Sequence, residues 1–136
     1  MIVLGVTADS TFIVDVMKGD RAALSKAADL EQRREPRFLS TPVVYEVMTG
    51  ILFRESRREA ETFARLASRF AFLPFNEPSA RMAAEIQSEL LRAGRPKSHT
   101  DVMIAAIAAV GGHSLITRDR DFQDIASVAE LTLASY

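Results

Sequence analysis

HTDVMIAAIAAVGGHSLITRDRDF, residues 99–122, decides how the rest of the chain is read. Val102 to Val110 carries no charge on any face, and a helix apolar all round must be covered all round. The stretch therefore predicts a buried helix with one acid, Asp101, at its front edge. The Gly111-Gly112 pair stops it, because glycine accepts the left-handed conformation past a helix C-terminus. Ser114 to Thr117 follows as a short strand and runs into an acidic tip, where Asp119 and Asp121 alternate with Arg118 and Arg120. In open α/β sheets, residues just past the carboxyl ends of strands and at the starts of helices face one crevice. Such a sheet would bring Asp101 and Asp119 together.

Outward from this stretch, strands and helices alternate. Ile2 to Ala8 is β-branched, apolar and too short for a helix, as a central parallel strand would be. Asp9 closes it, and Asp9 and Ser10 are both good caps for a helix predicted over Thr11 to Lys18, which Gly19 ends. A surface helix follows over Asp20 to Arg34, with arginines at its end where they suit the helix dipole. Arg37 to Leu39 is a second strand, and S-T-P opens the next helix with a hydroxyl cap and a proline in its first turn. Glu46 lies inside that helix. Val43, Val44, Val47 and Ile51 make the buried side, and Gly50 shares the face of Glu46, four residues away, where it permits close approach. Arg54 to Phe70 reads as one long amphipathic helix, Phe72 to Phe75 as a third strand, and Pro78 to Ala93 as a helix ended by Gly94. After the polar turn Arg95 to Thr100 and the central stretch, Val128 to Ala134 alternates apolar and polar residues like an edge strand. The pattern predicts one α/β domain over residues 1–136, three-layered around a mostly parallel sheet of four or five strands.

Composition narrows the function. A chain of 136 residues can bury roughly two-thirds of its unfolded surface without covalent staples. It has no cysteine, which excludes disulfides and thiolate metal sites and fits a reducing, cytoplasmic compartment. The apolar run Met1 to Ala8 is far short of the ~20 residues that span a bilayer, so no membrane is expected as a partner. A net charge of −1 lacks the global basic footprint of a general nucleic-acid binder, leaving that role to local patches.

Four acids then stand out: Asp9 after the first strand, Glu46 in the helix after the second, Asp101 heading the buried helix and Asp119 after the fourth strand. Singly each has an ordinary reading. Asp9 caps a helix, Asp101 completes a capping-box-like S-x-x-D with Ser98, and Asp119 with Asp121 forms a solvated loop. Together they recur at one sheet edge, and clustered carboxylates imply a cation. Oxygen-only ligands favour Mg²⁺ or Mn²⁺ over zinc, with His99 and His113 expected in solvent-exposed turns. Such an ion supports phosphodiester hydrolysis, and Arg95, Lys97, Arg118 and Arg120, with Arg92 nearby, would steer phosphates towards it.

These residues also resemble a known family. ADSTFIVD around Asp9, VVYEVMTG around Glu46, TDVMIAAIA around Asp101 and LITRDRDF around Asp119 are similar to the four motifs of PIN domains, particularly those of VapC-type toxins from toxin-antitoxin pairs. D-x-x-I-A-A-x-A followed by L-x-T-x-D-x-D-F is the specific part, and Ala8 departs from the larger aliphatic residue usual there. The resemblance implies a Mg²⁺- or Mn²⁺-dependent endoribonuclease. Asp9, Glu46, Asp101 and Asp119 would be its catalytic acids, with Asp9, Asp101 and Asp119 on the metal. Asp121 would be an auxiliary acid, and Ser10 and Thr117 would support the ligands. The implied partners are RNA, a small antitoxin protein and a second copy of the chain. Phe53, Phe63, Phe70 and Phe72 are the candidate apolar surface for the last two. Alternatives are a PIN nuclease of RNA processing, a phosphoacceptor receiver domain, and an idle interaction module. A receiver needs an acceptor Asp after its third strand and a lysine after a late one, and this sequence offers neither.

Overall fold

β1 (Val6–Ala8), buried at every residue, is the middle strand of a five-stranded sheet in a computed structural model that describes residues 5–136. The part of this strand expected over residues 2–4 lies outside the described residues. α1 (Ser10–Met17) and α2 (Arg21–Gln32) connect β1 to β2 (Arg37–Ser40), and α3 (Thr41–Phe53) and α4 (Arg57–Ala67) connect β2 to β3 (Ala71–Leu73). α5 (Glu77–Arg92) and α6 (His99–Gly111) lead to β4 (Ser114–Ile116), and α7 (Asp121–Val128) leads to β5 (Leu133–Ala134).

All pairs are parallel, in the order β3-β2-β1-β4-β5. Right-handed crossovers in that order send α1 to α4 to one face and α5 to α7 to the other. Most of the packing agrees: α1 meets α2, α3 and α4, and α5 meets α6 and α7, while α3 also meets α6. β1 pairs with β4, whereas the receiver-type order 2-1-3-4-5 would pair β1 with β3; the phosphoacceptor alternative is thereby corrected. The order reverses between β1 and β4, so the crevice beyond their carboxyl ends is the switch point where such sheets carry their sites.

α6 is buried as its sequence predicts at Val102 and from Ile104 to Ala108, but its last turn is not covered all round, since Val110 is exposed before Gly112 ends the helix at φ 70°. It packs on α5, and its Ile104 shares one core with Leu115, Ile116, Phe122 and Ile125. Caps follow the sequence in most places. Asp9, Asp20, Asn76 and Ser98 each accept a hydrogen bond from the N–H three residues on.

Several expectations need correction. Arg54 to Phe70 is not one helix: Glu55 adopts φ 53°, the Glu55 and Ser56 N–H groups close the end of α3, and the Ser56 hydroxyl starts α4 by accepting from Glu59 N–H at 3.1 Å. Ser40 stands at the N-cap of α3, but its buried hydroxyl has no partner among the described residues. The tip at Asp121 is the first turn of α7, and pairing at the chain's far end is confined to Leu133–Ala134. His113 is buried, stacked on Phe38 at 4.3 Å and bonded to the Thr7 hydroxyl at 3.1 Å. The four phenylalanines separate as well: Phe63 joins the core, Phe70 packs against it, and Phe53 and Phe72 are exposed.

Candidate metal centre

The chain turns directly from β1 into α1, so Asp9 both follows the strand and caps the helix. Its Oδ1 accepts the Phe12 N–H at 2.8 Å and its Oδ2 accepts the Thr117 hydroxyl at 2.5 Å. At 2 % exposure this carboxyl is the most deeply placed of the acids, and burial pushes it up to about 6, against the pull of those two hydrogen bonds. The charges of Asp119 and Asp101 raise it further.

Thr117 links the two sides of the switch point. Besides donating to Asp9, its Oγ1 accepts the Asp119 N–H at 2.9 Å, and Asp119 Oδ1 in turn accepts the Asp121 N–H at 2.9 Å. A continuous run of hydrogen bonds thus passes from the end of β1 through the turn after β4 to the start of α7. Asp101 reaches the same place from the first turn of α6, where Ser98 Oγ accepts its N–H at 3.2 Å. Burial raises the Asp101 carboxyl, and Glu46, Asp119 and Asp121 add like-charge repulsion. Asp101, Asp119 and Asp121 each offer one carboxylate oxygen, with all three oxygens within 4.8 Å of one another.

Glu46 comes from α3, which packs against α6. It is half-buried rather than enclosed, and its Oε1 accepts the Ser10 hydroxyl at 2.5 Å. Gly50, one turn on, is approached by the Arg54 guanidinium: a Cβ there would lie 3.1 Å from Arg54 Nη1. Glu46 and Gly50 line one end of a cavity of about 660 Å³ between α1, α3 and α4.

The basic residues divide. Lys97 Nζ lies 2.7 Å from Asp124 and 3.6 Å from Asp121, and its backbone is bracketed by the Gln87 amide. Arg95 reaches Asp124 at 3.5 Å. Arg120 is exposed at the tip. Arg118 turns away, onto Asp20, Asp15 and Tyr136. Sequence reading missed Asp124, Asp15, Asp20 and Tyr136. Only Asp20 carried a local signal, as the residue before a helix.

Among the described residues neither Asp101 nor Asp119 has an ion-pair partner, and Asp121 has only Lys97. Three mutually repelling oxygens on a rigid turn and a buried helix fit a hard divalent cation by number and type of donor. Asp9 lies outside the three converging oxygens, and each of its own oxygens accepts one protein hydrogen bond, which leaves a lone pair on each.

Sequence comparison with curated proteins finds no match. Solved structures share the fold. The crystal structure of VapBC2 from Rickettsia felis bound to a promoter DNA fragment superposes with a TM-score of 0.81 at 18 % identity, covering 98 % of each chain. VapBC-1 from nontypeable Haemophilus influenzae gives 0.79 at 20 % identity over 97 % of each chain. VapBC-5 from Mycobacterium tuberculosis gives 0.70 at 23 % identity over 98 % of this chain and 99 % of that one. The PIN domain family model matches residues 6–128, a span that includes Asp9, Glu46, Asp101, Asp119 and Asp121, and the chain accordingly belongs to the PIN-domain family.

Proposed function

We propose that this chain is a divalent-metal-dependent endoribonuclease acting as the toxin of a toxin-antitoxin pair. The observation that carries the reading is the convergence of Asp101, Asp119 and Asp121 oxygens within 4.8 Å, tied through Thr117 to Asp9. Asp101, Asp119 and Asp121 would hold Mg²⁺ or Mn²⁺, which supplies a Lewis acid beside the scissile phosphodiester. Asp9 fixes Thr117, adds negative charge beside Asp119 and Asp101, and keeps a lone pair on each oxygen open to the metal. Glu46, oriented by Ser10 and open to solvent, is placed to exchange a proton with the attacking water or the leaving oxygen. Arg95 and Arg120, both exposed, suit phosphate contacts on either side of the cleaved bond, while Lys97 is held by Asp124 and Asp121.

The full span 1–136 acts as one domain, and its working place is the cytoplasm, where its substrate is. No helix among the described residues is long and apolar enough to cross a membrane. The toxin reading draws support from structural neighbours described as VapBC complexes and as a toxin-antitoxin complex from Klebsiella pneumoniae. Unpaired RNA is the substrate class favoured, because a backbone held in a duplex is less able to bend into a crevice. A homodimer is supported by the apolar outer side of α3, with Tyr45, Leu52 and Phe53 exposed, and by Phe72 on the edge strand β3.

The test is cleavage of a labelled single-stranded RNA by the purified chain with Mg²⁺, with Mn²⁺ and with excess chelator. Cutting that requires the metal and disappears in Asp101→Asn supports the reading. Cutting that persists in chelator overturns it.

A further inference from the structure

We propose that Arg118, together with Tyr136, is a positioning residue for the acid cluster and not an RNA contact. The inference rests on the metal-nuclease reading but concerns residues outside the ligand set.

Arg118 lies between Thr117, whose hydroxyl holds Asp9, and Asp119, one of the three clustered acids. Its side chain leaves the cluster. Nη2 donates to Asp20 Oδ2 at 2.9 Å, Nε lies 3.7 Å from Asp15 Oδ2, and Cζ sits 4.1 Å from the centre of the Tyr136 ring. Tyr136 is itself fixed at both ends: its hydroxyl donates to Asp15 Oδ2 at 2.6 Å and its ring meets Phe12 edge-on at 4.9 Å. Phe12 is fully buried, and its N–H is the donor that holds Asp9 Oδ1.

The contacts close a loop, from Asp9 through Phe12, Tyr136, Arg118 and Thr117 back to Asp9. β5 fastens it further, since the Thr117 N–H donates to Ala134 O at 3.1 Å, two residues before Tyr136. One hydrogen bond to Asp20, the Asp15 carboxylate and the Tyr136 ring hold the guanidinium beside α1 and the start of α2, not beside the acids where a scissile phosphate would sit. Its place in the loop instead sets where the Thr117–Asp119 turn stands relative to Asp9. Groups bonded directly to a metal's ligands typically weaken binding about 10–100-fold when lost, and Arg118 and Tyr136, one step further out, should fall at the low end of that range.

The experiment compares the full chain with Arg118→Ala, Arg118→Lys and Tyr136→Leu by calorimetric titration with Mn²⁺ in the absence of RNA. A second measurement follows the affinity for a single-stranded RNA in chelator as salt is varied. Arg118→Ala and Tyr136→Leu should each weaken Mn²⁺ binding about tenfold. Their double variant should be little worse than the weaker single, since both act through one turn. Arg118→Lys, which keeps the charge beside Asp20 but not the flat group over Tyr136, should fall between and serves if Arg118→Ala does not fold. The salt dependence of RNA binding should be unchanged. Mn²⁺ affinity equal to wild type in the variants would overturn the proposal, even if they melt earlier. So would a salt slope reduced by about 0.7–1, the mark of a lost phosphate contact. Absence of Mn²⁺ uptake by the wild type would remove the metal reading itself.

Discussion

Neutralising Asp9 should stabilise the metal-free protein at neutral pH. Its carboxyl rises from 3.8 to about 6 on folding, chiefly through burial that its hydrogen bonds from Thr117 and Phe12 only partly offset. A rise of about two units at about 1.4 kcal/mol each makes ionised Asp9 a cost of about 3 kcal/mol to the folded state. Because the folded value lies above the unfolded one, the favourable contribution is complete below 3.8 and is lost as pH climbs through about 6. Asp9→Asn keeps an acceptor for the Phe12 N–H and can donate to Thr117 Oγ1. It gives up the charge–dipole interaction at the start of α1, worth about 0.3–1 kcal/mol, so burial should win. The net gain is about 1–3 kcal/mol, or roughly 4–12 °C in melting temperature for a chain of this size. Thermal unfolding in chelator at pH 7.5 should show the variant above wild type, with the gap closing by pH 4. Saturating Mn²⁺ should reverse the order by raising wild type more than the variant. A variant less stable than wild type in chelator at pH 7.5, or a gap that ignores pH, would mean that Asp9 is an ordinary helix cap.

Two other sites give independent checks. Burial holds the His113 imidazole below its ordinary range. Its folded value is thus below the unfolded 6.5, and the stability it contributes is present above that pH and lost as pH falls through it. Against His113→Phe, which keeps the stack on Phe38, wild type should lose ground between pH 7 and 5; a flat difference would show that the ring takes up a proton as readily in the folded state as in the unfolded one. A Cβ on Gly111 would lie 2.7 Å from His113 Cε1, inside a ring pinned by Phe38 and Thr7, so Gly111→Ala should cost about 1–3 kcal/mol by overpacking in urea unfolding. Phe53 is 88 % exposed on α3, and if that side joins two copies, Phe53→Ser should shift sedimentation towards monomer without lowering the melting temperature of the monomer. A wild type that sediments as a monomer at every concentration would remove the dimer.

The acids were legible in the sequence because their positions follow from punctuation. Asp9 ends an apolar run, Asp101 opens an all-apolar helix and Asp119 follows a short strand, so topology alone gathers them at the sheet's carboxyl edge. Glu46 was legible as a carboxylate out of place among valines. The break at Glu55 was concealed by uninterrupted helical spacing on both sides, since a left-handed non-glycine residue leaves no compositional mark. The signal that announced it was Ser56-Arg-Arg-Glu59, a capping box within the supposed helix. α7 escaped because it is short and starts at Arg120 without a side-chain cap. His113 looked like a turn residue after two glycines, and only the β1–β4 pairing, which brings it to Thr7 and Phe38, explains its burial. Arg118 illustrates the remaining gap: alternation with acids at a tip suggests phosphate binding, while its partners Asp15, Asp20 and Tyr136 are distant in sequence or carry no marking.

Calorimetric titration with Mn²⁺ at pH 7.5, on wild type and on Asp119→Asn, tests most directly whether the gathered carboxylates form a metal centre. Asp119 accepts from Asp121 N–H and is one of the three converging acids, so it is a ligand candidate that is also half-exposed, and its amide analogue should fold. Saturable binding by wild type, greatly weakened in Asp119→Asn while both proteins melt cooperatively in chelator, is the expected result. No saturable binding by wild type, or the same affinity in both, would contradict a metal centre at Asp101, Asp119 and Asp121.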